Sequence, residues 1–244
     1  MLRRVIILTI CALTLGSSPA FAERERMSAE DAYALGLRYL KRGYYVKALE
    51  QFNRVRTYYR DDPYALKAEL AIADVHFKKN EWDAARLAYE DFTRAHPRYR
   101  DLDYVVYRLG LTLYKKAPQI AARDQTWTRQ AVNTWMGFTA RFPDSSHRAE
   151  VEDMLGKARA RLARKELIIA RFYERREAWQ SVVGRLGPML QQYPDSPDRP
   201  EALALFGEAW QGLGREDLAN EALQKLKSEA PESREAKRLE RALD

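Results

Sequence analysis

A chain of 244 residues with a formal net charge of +7 is long enough for a sizeable core or for a stack of smaller units. Charges of both signs are mixed along it, so the positive excess is too small and too dispersed to indicate a nucleic-acid partner. Cys11 is the only cysteine, which excludes an internal disulfide and a cysteine-based metal site.

The first segment has the features of a targeting sequence. Arg3 and Arg4 precede the apolar run VIILTICALTLG, and Ala20-Phe21-Ala22 has the small-x-small pattern of signal-peptidase cleavage. Residues 1–22 are therefore expected to be removed as a signal peptide, leaving 23–244 as the mature domain, with Glu23 first. The apolar run is too short to make a good membrane-spanning helix. In a second reading Cys11 carries a lipid, since LTIC has a slight likeness to a bacterial lipobox, although Ile10 stands where a small residue is normal. Under the first reading the exported chain reaches a membrane through partners; under the second it is anchored by the lipid.

Beyond this segment the chain repeats itself. KRGYYVKALEQF at 41–52 returns as KKNEWDAARLAYEDF and later as RREAWQSVVGRLGPM, each with basic residues, a helix break and an aromatic. Gly36, Ala48, Phe52 and Val55 mark the first unit. About 37 residues on, Ala73, Ala85, Tyr89 and Phe92 take the same places, and Pro97 closes the second unit. The third has Gly110, Ala131, Trp135, Phe138 and Pro143, with the insertion APQIAARDQTW between its halves. A helical period runs unbroken over 146–175 and is expected to form one long helix leading into Ala170, Trp179, Val182, Leu186, Met189 and Pro194. The basic run KARARLARK within it is the solvated face of that helix. Gly207, Ala219, Leu223, Leu226 and Pro231 form the fifth unit. Small residues let paired helices approach closely, and the large ones are expected to fill the space between successive units. The prolines fall just past helix ends, where they leave the hydrogen-bond ladder intact. The pattern resembles the tetratricopeptide-repeat (TPR) family, which implies an all-α solenoid of about five helix-turn-helix repeats.

No constellation for catalysis stands out. His76, His96 and His147 fall in different repeats without metal-ligand spacing. There is no nucleophile motif and no phosphate-cradling glycine loop. Asp101 and Asp103 flank a helix start and are read as caps. A non-enzymatic binding scaffold without cofactor or metal is expected. The first helices of the repeats are expected to line its groove with Tyr33, Leu37 and Leu40, then Leu70, Asp74 and Phe77, then Tyr104, Tyr107, Leu111 and Tyr114. Lys41, Lys78 and Lys115 would edge that groove. Such a surface suits an extended peptide with aromatic side chains and a carboxylate. Inter-repeat packing of the tyrosines and dipole-favoured lysines in last turns is the other account of the same residues.

The stretches LDYVVYRLGLTLYKK, RDQTWTRQAVNTWMGFTARFPDSSH and ARLARKELIIARFYERREAWQSVVGRLGPMLQQYPDSP together resemble the BamD (YfiO) family, TPR subunits of the outer-membrane β-barrel assembly machine. The resemblance covers about Ala29 to Ala230. It implies a place in the periplasm at the inner face of the outer membrane. It also implies three kinds of partner: a BamA-like barrel subunit with POTRA domains, unfolded outer-membrane proteins, and other assembly-machine lipoproteins. Arg185, in WQSVVGRLGPML, matches a basic residue of the family's contact with the barrel subunit. A periplasmic adaptor of the cell-division or Tol–Pal type is a second reading; the absence of a heptad run before residue 28 disfavours it.

Overall fold

The computed structural model describes residues 27–244. The expected signal peptide, its cleavage site and Cys11 lie outside the described residues. The chain forms two compact units, one ending at Glu69 and one spanning Leu70–Asp244.

The first unit is a helical hairpin with the start of a third helix. Helix α1 (Ala29–Lys41) begins at Ser28, whose Oγ accepts from the Asp31 N–H at 3.0 Å. Glu30 and Asp31 sit in its first turn and Arg38 and Lys41 in its last, matching the helix dipole at both ends. Helix α2 (Tyr45–Tyr58) returns against it. The two approach closely because Gly36 lacks a side chain: a Cβ there would lie 2.5 Å from Cε1 of the fully buried Phe52. The large residue thus covers the small residue of its own hairpin, where packing between successive units was expected. Helix α3 (Pro63–Lys78) starts with proline, which has no N–H to leave unpaired, and crosses the division between units.

The second unit continues the alternation. It holds α4 (Trp82–Ala95), α5 (Leu102–Lys116), α6 (Thr126–Trp135), the short α7 (Phe138–Arg141), α8 (Arg148–Glu174), α9 (Trp179–Gln192), α10 (Arg199–Gly212), α11 (Glu216–Glu229) and α12 (Arg234–Leu243). Chain neighbours pack in antiparallel pairs, α5 on α6, α8 on α9 and α10 on α11, as the helix-turn-helix repeats require. The anchors Ala85, Tyr89, Phe92, Trp135, Leu186 and Leu226 are fully buried. Helix α8 is the long helix read from the sequence.

Three features go beyond the sequence reading. The second helix of the third hairpin is broken after Trp135 by Gly137, which adopts φ +76°. Helix α12 caps the last hairpin, burying Ala236 and Leu239 and tying Arg238 to Glu201 and Glu208. The insertion is held from within by the buried Gln125, whose Nε2 donates to the carbonyls of Pro118 and Ile120. The expectation that Asp101 and Asp103 cap α5 is corrected: the Asp101 side chain makes no cap bond, and Asp103 accepts from the Ser145 hydroxyl at 2.6 Å.

The turns inside four hairpins share one conformation. Gly43, Asn80, Glu177 and Gly214 each lie two residues before a helix start and each has φ between 53° and 76°. Glycine and asparagine tolerate this left-handed region; Glu177 occupies it at a cost in backbone strain. Glu177→Gly is therefore expected to stabilise the protein by about 1 kcal/mol, read as a higher urea midpoint.

Candidate functional site

In the first unit, the α1 residues Tyr33, Leu37, Leu40 and Lys41 differ in exposure. Tyr33 is wedged between the rings of Phe52 and Tyr64, with centroids at 5.6 and 5.4 Å. Leu40 is half-buried; Leu37 and Lys41 are exposed.

In the second unit, Leu70, Tyr107 and Leu111 are buried, Phe77, Tyr104 and Tyr114 are half-buried, and Lys78 and Lys115 are exposed. The half-buried rings surround a polar cluster. Oδ1 of Asp74 accepts from the Tyr89 hydroxyl at 2.5 Å and the Tyr104 hydroxyl at 2.8 Å, and Nε of Arg108 stands 3.4 Å away. The Arg108 guanidinium lies 3.6 Å over the ring of Phe77. Burial pushes the Asp74 carboxyl up, against the opposing pull of its hydrogen bonds and Arg108, and pushes the Tyr89 and Tyr104 hydroxyls up as well. Tyr107 stacks on His147 at 4.7 Å and donates to Glu150 at 2.6 Å; burial, then that carboxylate, pushes its pKa up to about 12. Tyr114 lies beneath the Arg161 guanidinium at 4.1 Å. Each tyrosine of the α5 row therefore already has a cationic or hydrogen-bonding neighbour. The sequence reading placed Asp74 on the groove but missed the polar cluster, because Arg108 lies 34 positions away and alone resembles a solvated helix charge.

Arg185 lies elsewhere in the second unit. It lines a cleft of about 610 Å³ between α6, α8 and α9, together with Arg129, Arg159, Glu166, Met136 and Tyr193. Arg185 reaches Glu166 at 3.4 Å, and Arg159 donates to the Gln192 carbonyl at 2.7 Å. Three arginines face one carboxylate, so the cleft carries a net positive charge. Met136, 63% exposed, adds an apolar wall where α6 breaks. The arrangement can accept an acidic segment with an apolar residue beside it.

Among the described residues no group of three His, Cys, Asp or Glu side chains could hold a metal ion, and no helix is long and apolar enough to cross a membrane. His76 bonds Glu81 at 2.7 Å and His96 packs on Phe92 at 4.8 Å.

A family model described as YfiO, outer membrane lipoprotein, matches residues 25–226. The outer membrane protein assembly factor BamD of Pasteurella multocida is 29% identical over 223 residues, covering 88% of this chain and 85% of that protein. BamD of Xylella fastidiosa (strain Temecula1) is 28% identical, covering 84% of this chain and 73% of that protein. BamD of Haemophilus influenzae is 27% identical, covering 90% and 87%.

Proposed function

This chain belongs to the YfiO family of outer membrane lipoproteins, and from that premise we propose that it acts as an outer-membrane protein assembly factor. It is a non-catalytic helical scaffold that works at the periplasmic face of the outer membrane. It holds a barrel subunit with POTRA domains and receives unfolded outer-membrane proteins. The observation that carries this reading is the arginine-lined cleft around Arg185, joined to a family match that spans both units. Its three arginines against Glu166 favour an acidic edge or loop of a folded partner.

Unfolded substrates would be met within the second unit by the half-buried Phe77 and Tyr104 and by the exposed Lys78 and Lys115. Neither lysine forms an ion pair among the described residues, so their charge is available to a peptide carboxylate.

The test is co-purification of the barrel subunit with Arg185→Glu. Reversal places a second carboxylate beside Glu166, and retention is expected to fall at least tenfold while the circular dichroism spectrum stays unchanged. Retention equal to that of the unaltered protein would sink the assignment of this cleft to the barrel subunit.

A further inference from the structure

The turn between α1 and α2 carries an uncommon combination of side chains. Tyr44 and Val46 are 55% and 75% exposed, and Leu37 on the preceding turn is 42% exposed. Around them stand Arg38, Lys41, Arg42 and Lys47, all exposed and none paired with a carboxylate among the described residues. The Lys47 ammonium lies 5.7 Å from the rings of both Tyr39 and Tyr44. Gly43, with φ +76° and no atom within 4 Å of where its Cβ would be, lets the turn protrude.

Of the hairpin's carboxylates only Glu50 stands near this tip, one helical turn beyond Val46. Glu30 and Asp31 occupy the first turn of α1, roughly 20 Å along a helix of this length, and Asp61 and Asp62 follow the end of α2. Glu50, on α2, already has an interaction of its own. The first unit is therefore polarised, with four unpaired cations and amphipathic rings gathered at one end.

We infer that this tip is a contact site for an anionic phospholipid surface. Tyrosine and an aliphatic residue flanked by lysine and arginine are the side chains that settle at a bilayer interface, with rings at headgroup depth and cations on the lipid phosphates. A protruding tip meets a flat surface without needing a complementary partner. Each cation strengthens partitioning about fivefold, so four give useful but reversible attachment. This contact requires no barrel subunit and stands apart from the cleft at Arg185.

The experiment places a nitroxide at position 46 through Val46→Cys in a Cys11→Ser background, where it is the sole cysteine. Its accessibility to a water-soluble relaxant is measured with vesicles of phosphatidylcholine alone and with 30% phosphatidylglycerol. A nitroxide replacing Glu216, on the second unit, serves as the reference. Vesicles containing phosphatidylglycerol are expected to protect position 46 and not position 216. Half-molar salt is expected to reverse the effect, and Lys41→Gln/Arg42→Gln/Lys47→Gln to weaken binding about a hundredfold. Equal accessibility with both lipids, equal protection at 216, or an unchanged triple variant would overturn the inference. So would protection of position 46 by poly-glutamate but not by vesicles, which would assign the tip to an acidic protein segment.

Discussion

Trp135→Ala is expected to lower the stability of the second unit by about 3–5 kcal/mol, measured by urea unfolding followed by far-ultraviolet circular dichroism. Trp135 is the largest fully buried side chain among the described residues, and its indole Nε1 donates to the Tyr107 carbonyl at 3.3 Å. It fills the space left by Gly110, where a Cβ would sit 2.3 Å from the ring. Removing the indole leaves a void between two helices whose backbones are fixed on their other sides by α4 and α8, so the site has little room to collapse. Trp135 also ends α6, directly before the break at Gly137, and neighbouring side chains cannot slide along a longer helix to fill the gap. Trp135→Phe, which loses the hydrogen bond and part of the volume, is expected to fall between the two. A loss below 1 kcal/mol for the alanine variant would mean that the α5–α6 pair is held by something other than this ring.

Asp74→Ala is expected to be nearly as damaging, at about 3–5 kcal/mol, because it strips the counter-charge from the half-buried Arg108 and the acceptor from two tyrosine hydroxyls. Asp74→Asn separates these effects. The amide oxygen still accepts from Tyr89 and Tyr104, and burial already works against the carboxylate charge, so its loss should be less than half that of alanine. The sign with pH follows from the same burial. A carboxyl raised above its unfolded value gives its full stabilisation below the usual carboxylate range, and that contribution declines as pH rises through the folded value. The gap between unaltered protein and Asp74→Asn should therefore shift in favour of the asparagine variant as pH rises from 4 toward neutrality. If alanine and asparagine lose equally at neutral pH, the charge opposite Arg108 is the dominant interaction and the tyrosine hydroxyls contribute little.

The repeat skeleton was legible because close packing leaves a periodic trace. Gly36, Ala48, Phe52 and Val55 recur as Ala73, Ala85, Tyr89 and Phe92, each 37 residues on, and a sequence displays such a recurrence directly, though not that Phe52 would cover the glycine of its own hairpin. The long α8 was legible for a similar reason, since an unbroken 3.6-residue period needs no partner to be recognised. The partners of the tyrosines were not legible. Whether Tyr104 faces a ligand or Asp74 depends on the rotation of α5 about its axis against α3 and α4, and helical periodicity leaves that rotation open. The break at Met136–Gly137 was hidden as well. A glycine inside an apolar helical pattern is tolerated in most helices, and only the turn that follows reveals its left-handed backbone. The cleft around Arg185 combines residues of three helices, so the sequence carried Arg185 alone and gave no sign of Arg129 and Arg159 beside it.

Helix α8 has 27 residues and extends roughly 40 Å, and α6 and α9, the two walls of that cleft, both rest on it. A single continuous rod under both walls sets the width of the mouth like the fixed jaw of a gauge. Repeats joined by a turn at this point could tilt apart to admit partners of different thickness; these cannot without bending the helix. Under the proposed function, a segment that fits would cost little in ordering the receptor, and one that is too thick would be refused at entry. Selectivity at this site would then be a matter of calibre, set by the continuity of α8, with the arginines deciding only among segments that already fit.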